Sequence, residues 1–135
     1  MKREPPSSFA CRLRSTLLTD QAQFRLQAAE GTPILAISGE IDIANIEQFK
    51  SFAADAARDD SERIIVSLEK VTYLDSHTLE ALVDLGKRLR TNRRRLLVVA
   101  PKNTPSGRIL RTTGLDLAIA LFETVDDAMQ STSEP

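Results

Sequence analysis

The chain has 135 residues, room for one compact domain and too few for two. Its 41% hydrophobic and 27% charged residues are ordinary for a globular protein, but aromatics are only 4%, so Leu, Ile, Val and Ala must build the core. A formal net charge of -1 excludes an overall pull toward nucleic acid or anionic membrane, and the single cysteine, Cys11, excludes an intrachain disulfide.

Residues 1–20 are polar, carry Pro5-Pro6 and Ser7-Ser8, and show no sustained period; they read as a flexible arm with a helical turn near Leu13, Leu17 and Leu18. Met1-Lys2-Arg3 has the charge of a secretory leader, but Glu4-Pro5-Pro6 follows where an apolar stretch would stand. No run approaches the roughly 20 apolar residues of a membrane span. The expected location is the cytoplasm.

Phe24 to Ala28 alternates between apolar and polar, Gly31-Thr32-Pro33 breaks the chain, and Ile34 to Gly39 follows, predicting two antiparallel strands. Gly39-Glu40-Ile41-Asp42 leaves the second strand. Asn45 with Gln48 suggests a capping pair for a helix that presents Ile46, Phe49, Ala53 and Ala56 on one face and fades at Arg58. Ile64 to Leu68 has the β-branched character of a buried strand. Leu79, Leu82, Val83, Gly86 and Leu89 then mark one face of a helix from about Ser76 to Asn92, with Leu82 and Val83 toward the core. Its last turn opens the basic run Lys87, Arg88, Arg90 and Arg93-Arg94-Arg95, which suits a solvated helix end.

The continuous apolar run Leu96 to Ala100 predicts a strand covered on both faces, ended by Pro101. Thr104-Pro105 opens a third helix through Ile109 and Leu110, and Gly114 stops it with Leu115 as the closing apolar contact. Leu117 to Phe122 makes the last strand, and Thr124 with Asp127 starts a short final helix through Ala128 and Met129. The expected order is β-β-α-β-α-β-α-β-α in one α/β domain over 21–131, with a tail at 132–135. Alternating strands and helices predict a mostly parallel mixed sheet with about four helices.

Sites in such sheets gather where strands end and helices begin. Two strand ends here carry acids: Glu40 and Asp42 after one, Asp75 with Ser76 after the next. If those strands are parallel neighbours, both groups share a rim. A short polar residue at a helix start usually caps it, and Ser76 can be read so. A hydrolase built on Ser76 would need an imidazole facing the hydroxyl, but His77 is its helical neighbour and points elsewhere. Leu74 and Thr78 also occupy the glycine places of a nucleophile elbow. A phospho-aspartate receiver would need a lysine after the last strand, where Glu123-Thr124-Val125-Asp126-Asp127 stands instead. Asp42, Asp75 and His77 lack the spacing of a metal site, and no cofactor is expected. An exposed serine in a first helical turn is, however, open to a kinase, and phosphate would set about -1.5 to -2 charges beside Glu40, Asp42 and Asp75.

Gly39-Glu40-Ile41-Asp42, then Val71-Thr72-Tyr73-Leu74-Asp75-Ser76, then Thr113-Gly114-Leu115 resemble, in this order and spacing, the landmarks of STAS domains, particularly bacterial anti-sigma factor antagonists. The resemblance covers residues 22 to 130. It implies a domain without catalytic activity that binds an anti-sigma factor, an ATP-dependent serine kinase, and so frees a sigma factor for transcription. It implies Ser76 as the phosphoacceptor, a PP2C-type phosphatase that restores the protein, and a monomer or weak homodimer in the cytoplasm. The partner surface it implies comprises Glu40, Asp42, Asp75, Ser76, His77, Thr78 and Glu80. Where the family commonly reads Asp-Ser-Ser-Gly-Leu-Gly, this chain has His77 for the second serine and Thr78 and Glu80 for the glycines. His77 would let docking respond to pH, since imidazole titrates near neutrality. The resemblance admits a second role, as a non-catalytic scaffold in a stressosome-like assembly or a lipid ABC transporter complex.

Overall fold

A computed structural model of the chain describes residues 11–58 and 61–131. Six strands form one sheet in the order β1-β2-β3-β4-β5-β6, which is also their order along the chain. They are β1 Cys11–Leu18, β2 Ala22–Ala29, β3 Thr32–Ile41, β4 Arg63–Leu74, β5 Arg95–Val99 and β6 Ala120–Phe122. The helices are α1 Ile46–Ala57, α2 Ser76–Thr91, α3 Pro105–Thr112 and α4 Val125–Gln130. β1, β2 and β3 pair antiparallel, and β3 through β6 pair in parallel.

Because the parallel strands add in sequence and crossovers keep one hand, α1, α2 and α3 all fall on the same face. There Phe24, Leu35, Val66 and Val98 meet Phe49, Ala53, Leu82, Leu85, Leu89 and Leu110 in the main core. Phe24 stacks on Phe52 with ring centroids 5.6 Å apart. Among the described residues the other face carries α4 alone, whose Ala128 and Met129 cover Ile34, Ile65, Leu97 and Val99. β5 is therefore apolar on both sides, as its unbroken run predicted. The anticipated helix faces hold: Leu82 is fully buried and Val83 packs against the core.

Five details differ from the sequence expectation, the first being that β4 runs on past the anticipated Leu68 to Leu74. The stretch read as an arm contains β1, which pairs with β2 from Cys11↔Ala29 to Leu18↔Gln23; residues 1–10 lie outside the described residues. β1 is an edge strand, so it needs no apolar run to earn its place, and its ladder with β2 supplies the ordering. The last strand is short, because Leu115–Leu117 forms a 3-10 turn after Gly114, which takes the left-handed φ of 82° expected of it. Leu117 is 91% exposed, and within the anticipated strand only Ala120–Phe122 pairs with β5. Asn45 begins α1 without a side-chain cap, its amide being committed elsewhere. Finally, Arg94 and Arg95 are not part of the solvated run. Arg94 donates to the Ser61 and Ala57 carbonyls at 2.8 and 2.9 Å and Arg95 to the Ser131 hydroxyl at 3.2 Å, while Lys87, Arg88, Arg90 and Arg93 are exposed.

Candidate functional site

The parallel register between β3 and β4 sets Ile41 opposite Leu74 and Glu40 opposite Tyr73. Asp42 and Asp75 each follow one residue later, so the two acid-bearing strand ends share one rim. The β1–β2 turn joins them there. Glu40 donates its N–H to the Gln21 carbonyl at 3.0 Å, and Gln21 Nε2 lies 3.5 Å from Asp42 Oδ2. Gly39 makes this approach feasible: its φ is +95°, and a Cβ there would collide with the Gln21 carbonyl.

The loop between β3 and α1 is tied by Asn45. Its Oδ1 accepts the Asp42 N–H at 3.0 Å, and its Nδ2 donates to the Glu40 carbonyl at 2.9 Å. Asp42 Oδ1 in turn accepts the Ala44 N–H at 2.9 Å. These bonds fold the loop back on itself and leave Ile43 at its tip, 67% exposed.

At the β4–α2 junction the cap is Asp75, and Ser76 is the first helical residue. Asp75 has extended backbone and its Oδ1 accepts the Thr78 N–H at 3.1 Å and the Thr78 hydroxyl at 3.3 Å. Its Oδ2 lies 3.5 Å from His77 Nδ1. Burial alone would push the Asp75 carboxyl up, but the Thr78 N–H, the His77 ring and the Thr78 hydroxyl together hold it below its ordinary value. Thr78 is fully buried and its hydroxyl lies 3.4 Å from the Ile41 carbonyl, pinning the first turn of α2 to the end of β3. With Asp75 as the cap, the Ser76 hydroxyl is exposed and has no hydrogen-bond partner among the described residues.

Of the residues anticipated at the partner surface, Glu40, Asp42, Asp75, Ser76, His77 and Glu80 come together on this rim, Asp42 and Asp75 half-buried and the others exposed. Thr78 is the exception. Its side chain lies beneath the surface as a support for Asp75. Two exposed apolar residues, Ile43 and Tyr73 (46% exposed), stand among the acids, and Leu18 ends β1 at the same pole. Sequence patterning passed over them because an exposed apolar residue is recognised only once the fold leaves it uncovered. Among the described residues no three His, Cys, Asp or Glu side chains are placed to hold a metal ion, and no helix is long and apolar enough to cross a membrane.

A Thermotoga maritima protein named for anti-sigma factor antagonism is 26% identical over 108 residues, covering 79% of this chain and 95% of that protein. The crystal structure of an anti-sigma factor antagonist from Mycobacterium paratuberculosis superposes with a TM-score of 0.76 at 24% identity, covering 87% of this chain and 98% of the other. The Bacillus cell fate determinant SpoIIAA, solved in its phosphorylated form, superposes with a TM-score of 0.59 at 21% identity, over 78% and 96% of the two chains. These two likenesses establish a shared fold. The sequence profile of the STAS domain matches residues 23–128, from the second strand of the sheet to its final helix. That span contains the rim and most of the sheet beneath it, and the chain belongs to the STAS domain family.

Proposed function

We propose that this chain is an anti-sigma factor antagonist switched by phosphorylation of Ser76. Unphosphorylated, its rim docks on an anti-sigma factor that is itself a serine kinase, which frees a sigma factor for transcription. The kinase transfers the γ-phosphoryl group of ATP to Ser76 Oγ, leaving ADP and releasing the hydroxyl proton. A PP2C-type phosphatase hydrolyses the ester and restores the free serine. The chain performs no catalysis in this scheme, and it acts in the cytoplasm as a monomer or weak homodimer.

One observation supports this reading above the others. Asp75 caps α2, so the Ser76 hydroxyl is exposed and uncommitted at the first position of the helix. Phosphate there would meet the favourable end of the helix dipole, so the domain need not unfold. The partner, however, would have to bury roughly two added negative charges beside Glu40, Asp42, Asp75 and Glu80. Loss of docking is the consequence. Ile43 and Tyr73 supply the apolar contact of that surface, while His77 and Glu80 distinguish its partner from those of relatives with serine and glycine there.

The test is to incubate the chain with candidate anti-sigma kinases and ATP, locate phosphate by mass spectrometry, and compare variants by titration. Phosphate is expected on Ser76, with Ser76→Ala binding like the wild type and Ser76→Glu weakened about tenfold or more. Equal affinities for the two variants, or phosphate elsewhere only, would sink the switch.

A further inference from the structure

The described residues cover the sheet face opposite α1, α2 and α3 only in part. Under α4 its outward positions are apolar, but toward the carboxyl ends of β3 and β4 they turn polar. The register lines up Arg25, Ala36 and Ser67 in one row across β2, β3 and β4, and Gln23, Ser38 and Lys70 in the next. Ala36 and Ser67 are small, while Arg25, Glu69 and Lys70 are long. A groove of about 490 Å³ results, closed at one end by Val125 and Asp126 at the start of α4.

Two features of this groove are left unused by the fold. Ser67 is only 6% exposed and lines the floor, yet its hydroxyl has no hydrogen-bond partner among the described residues. The hydroxyl is open to the groove and free to bond a molecule held there. Two strands away in the same row, the exposed Arg25 guanidinium has no ion-pair partner among the described residues. The lining carries two cations, Arg25 and Lys70, and two acids, Glu69 and Asp126. A bare anion would gain Arg25 but face the acids. A molecule carrying both signs a few ångströms apart satisfies both.

We propose that this groove binds a small zwitterion of the α-amino acid class. The carboxylate sits above Ala36, between the Arg25 guanidinium and the Ser67 hydroxyl, and the ammonium group faces Glu69 and Asp126. Bidentate pairing makes arginine the suited partner for a carboxylate. The site shares no residue with the Ser76 rim, so its fate is independent of the proposed switch.

Titration of the isotope-labelled full chain with each of the twenty protein amino acids, followed by NMR, tests it. At least one should give saturable shifts at the Arg25, Ala36, Ser38 and Ser67 amides with a dissociation constant of about 1 mM or below. Arg25→Gln and Ser67→Val should each weaken it about tenfold or more. Should Ser67→Val fail to fold, Ser67→Ala removes the hydroxyl without adding bulk. Acetate and methylammonium, which carry one sign each, should not saturate. The proposal is overturned if no amino acid saturates, if acetate binds as well, or if the shifts persist unchanged in the variants.

Discussion

Asp75 holds three groups at once: the N–H and the hydroxyl of Thr78, and the ring of His77. Asp75→Ala removes the cap of α2 and should cost about 0.5–2 kcal/mol in chemical denaturation. Asp75→Asn keeps an acceptor but loses the charge, which makes it the probe of pH dependence. The folded carboxyl is held below its ordinary value, so the unfolded chain takes up the proton first as the pH falls. The charge's contribution is complete above the ordinary value of about 3.9 and disappears as the pH drops through the lowered one. The stability difference between wild type and Asp75→Asn should therefore shrink as the pH falls below about 4; a difference that grows over that range would contradict the assigned contacts. At this scale the sequence located Asp75 and Ser76 correctly but could not say which of them capped the helix, since both residue types do so. Backbone direction at the end of β4 made the choice.

Leu82, fully buried among β-sheet and helix side chains, tests α2 as an element. Leu82→Ala should cost about 2–5 kcal/mol, seen as a lowered denaturation midpoint, because the close-packed core cannot collapse onto the cavity. Gly39 tests the junction of β1, β2 and β3. Gly39→Ala forces a side chain into a left-handed backbone and against the Gln21 carbonyl. A loss of at least about 1–3 kcal/mol is expected, with the β1–β2 turn displaced from the rim; an unchanged midpoint would mean that the turn does not sit there. The helices were legible because 3.6-residue periodicity survives in the sequence whatever covers it. β1 was not. Its serine, threonine and arginine residues carry no period, and only pairing with β2 makes it a strand. The short β6 went the other way: Leu117 to Phe122 is apolar enough for a strand, but the turn after Gly114 uses its first half.

Across the whole molecule the sheet runs from well-covered centre to bare edge. β3, β4 and β5 are paired on both sides and lie between helices or other strands, whereas β1 and β6 are each paired on one side. Amide hydrogen exchange should thus be slowest in β3, β4 and β5 and fastest in β1 and β6. Slow exchange throughout β1 would show that its free edge is covered in solution. Among the described residues the same topology puts three helices on one face and a single short one on the other, which leaves two separate surfaces: the rim at the strand ends and the open groove between β2 and β4. By itself the sequence determined the alternation of strands and helices, the apolar faces that form the core, and the position of Ser76 at a strand-to-helix junction. Those properties are local, written in periodicity and turn chemistry. Only the tertiary structure decided that Asp75 caps and Ser76 is free, that Thr78 is buried, that Ile43 and Tyr73 stand exposed beside the acids, and that Arg25 and Ser67 share a row. Each depends on strand register and on what packs above a residue, and neither is carried by the residue's immediate neighbours in the chain.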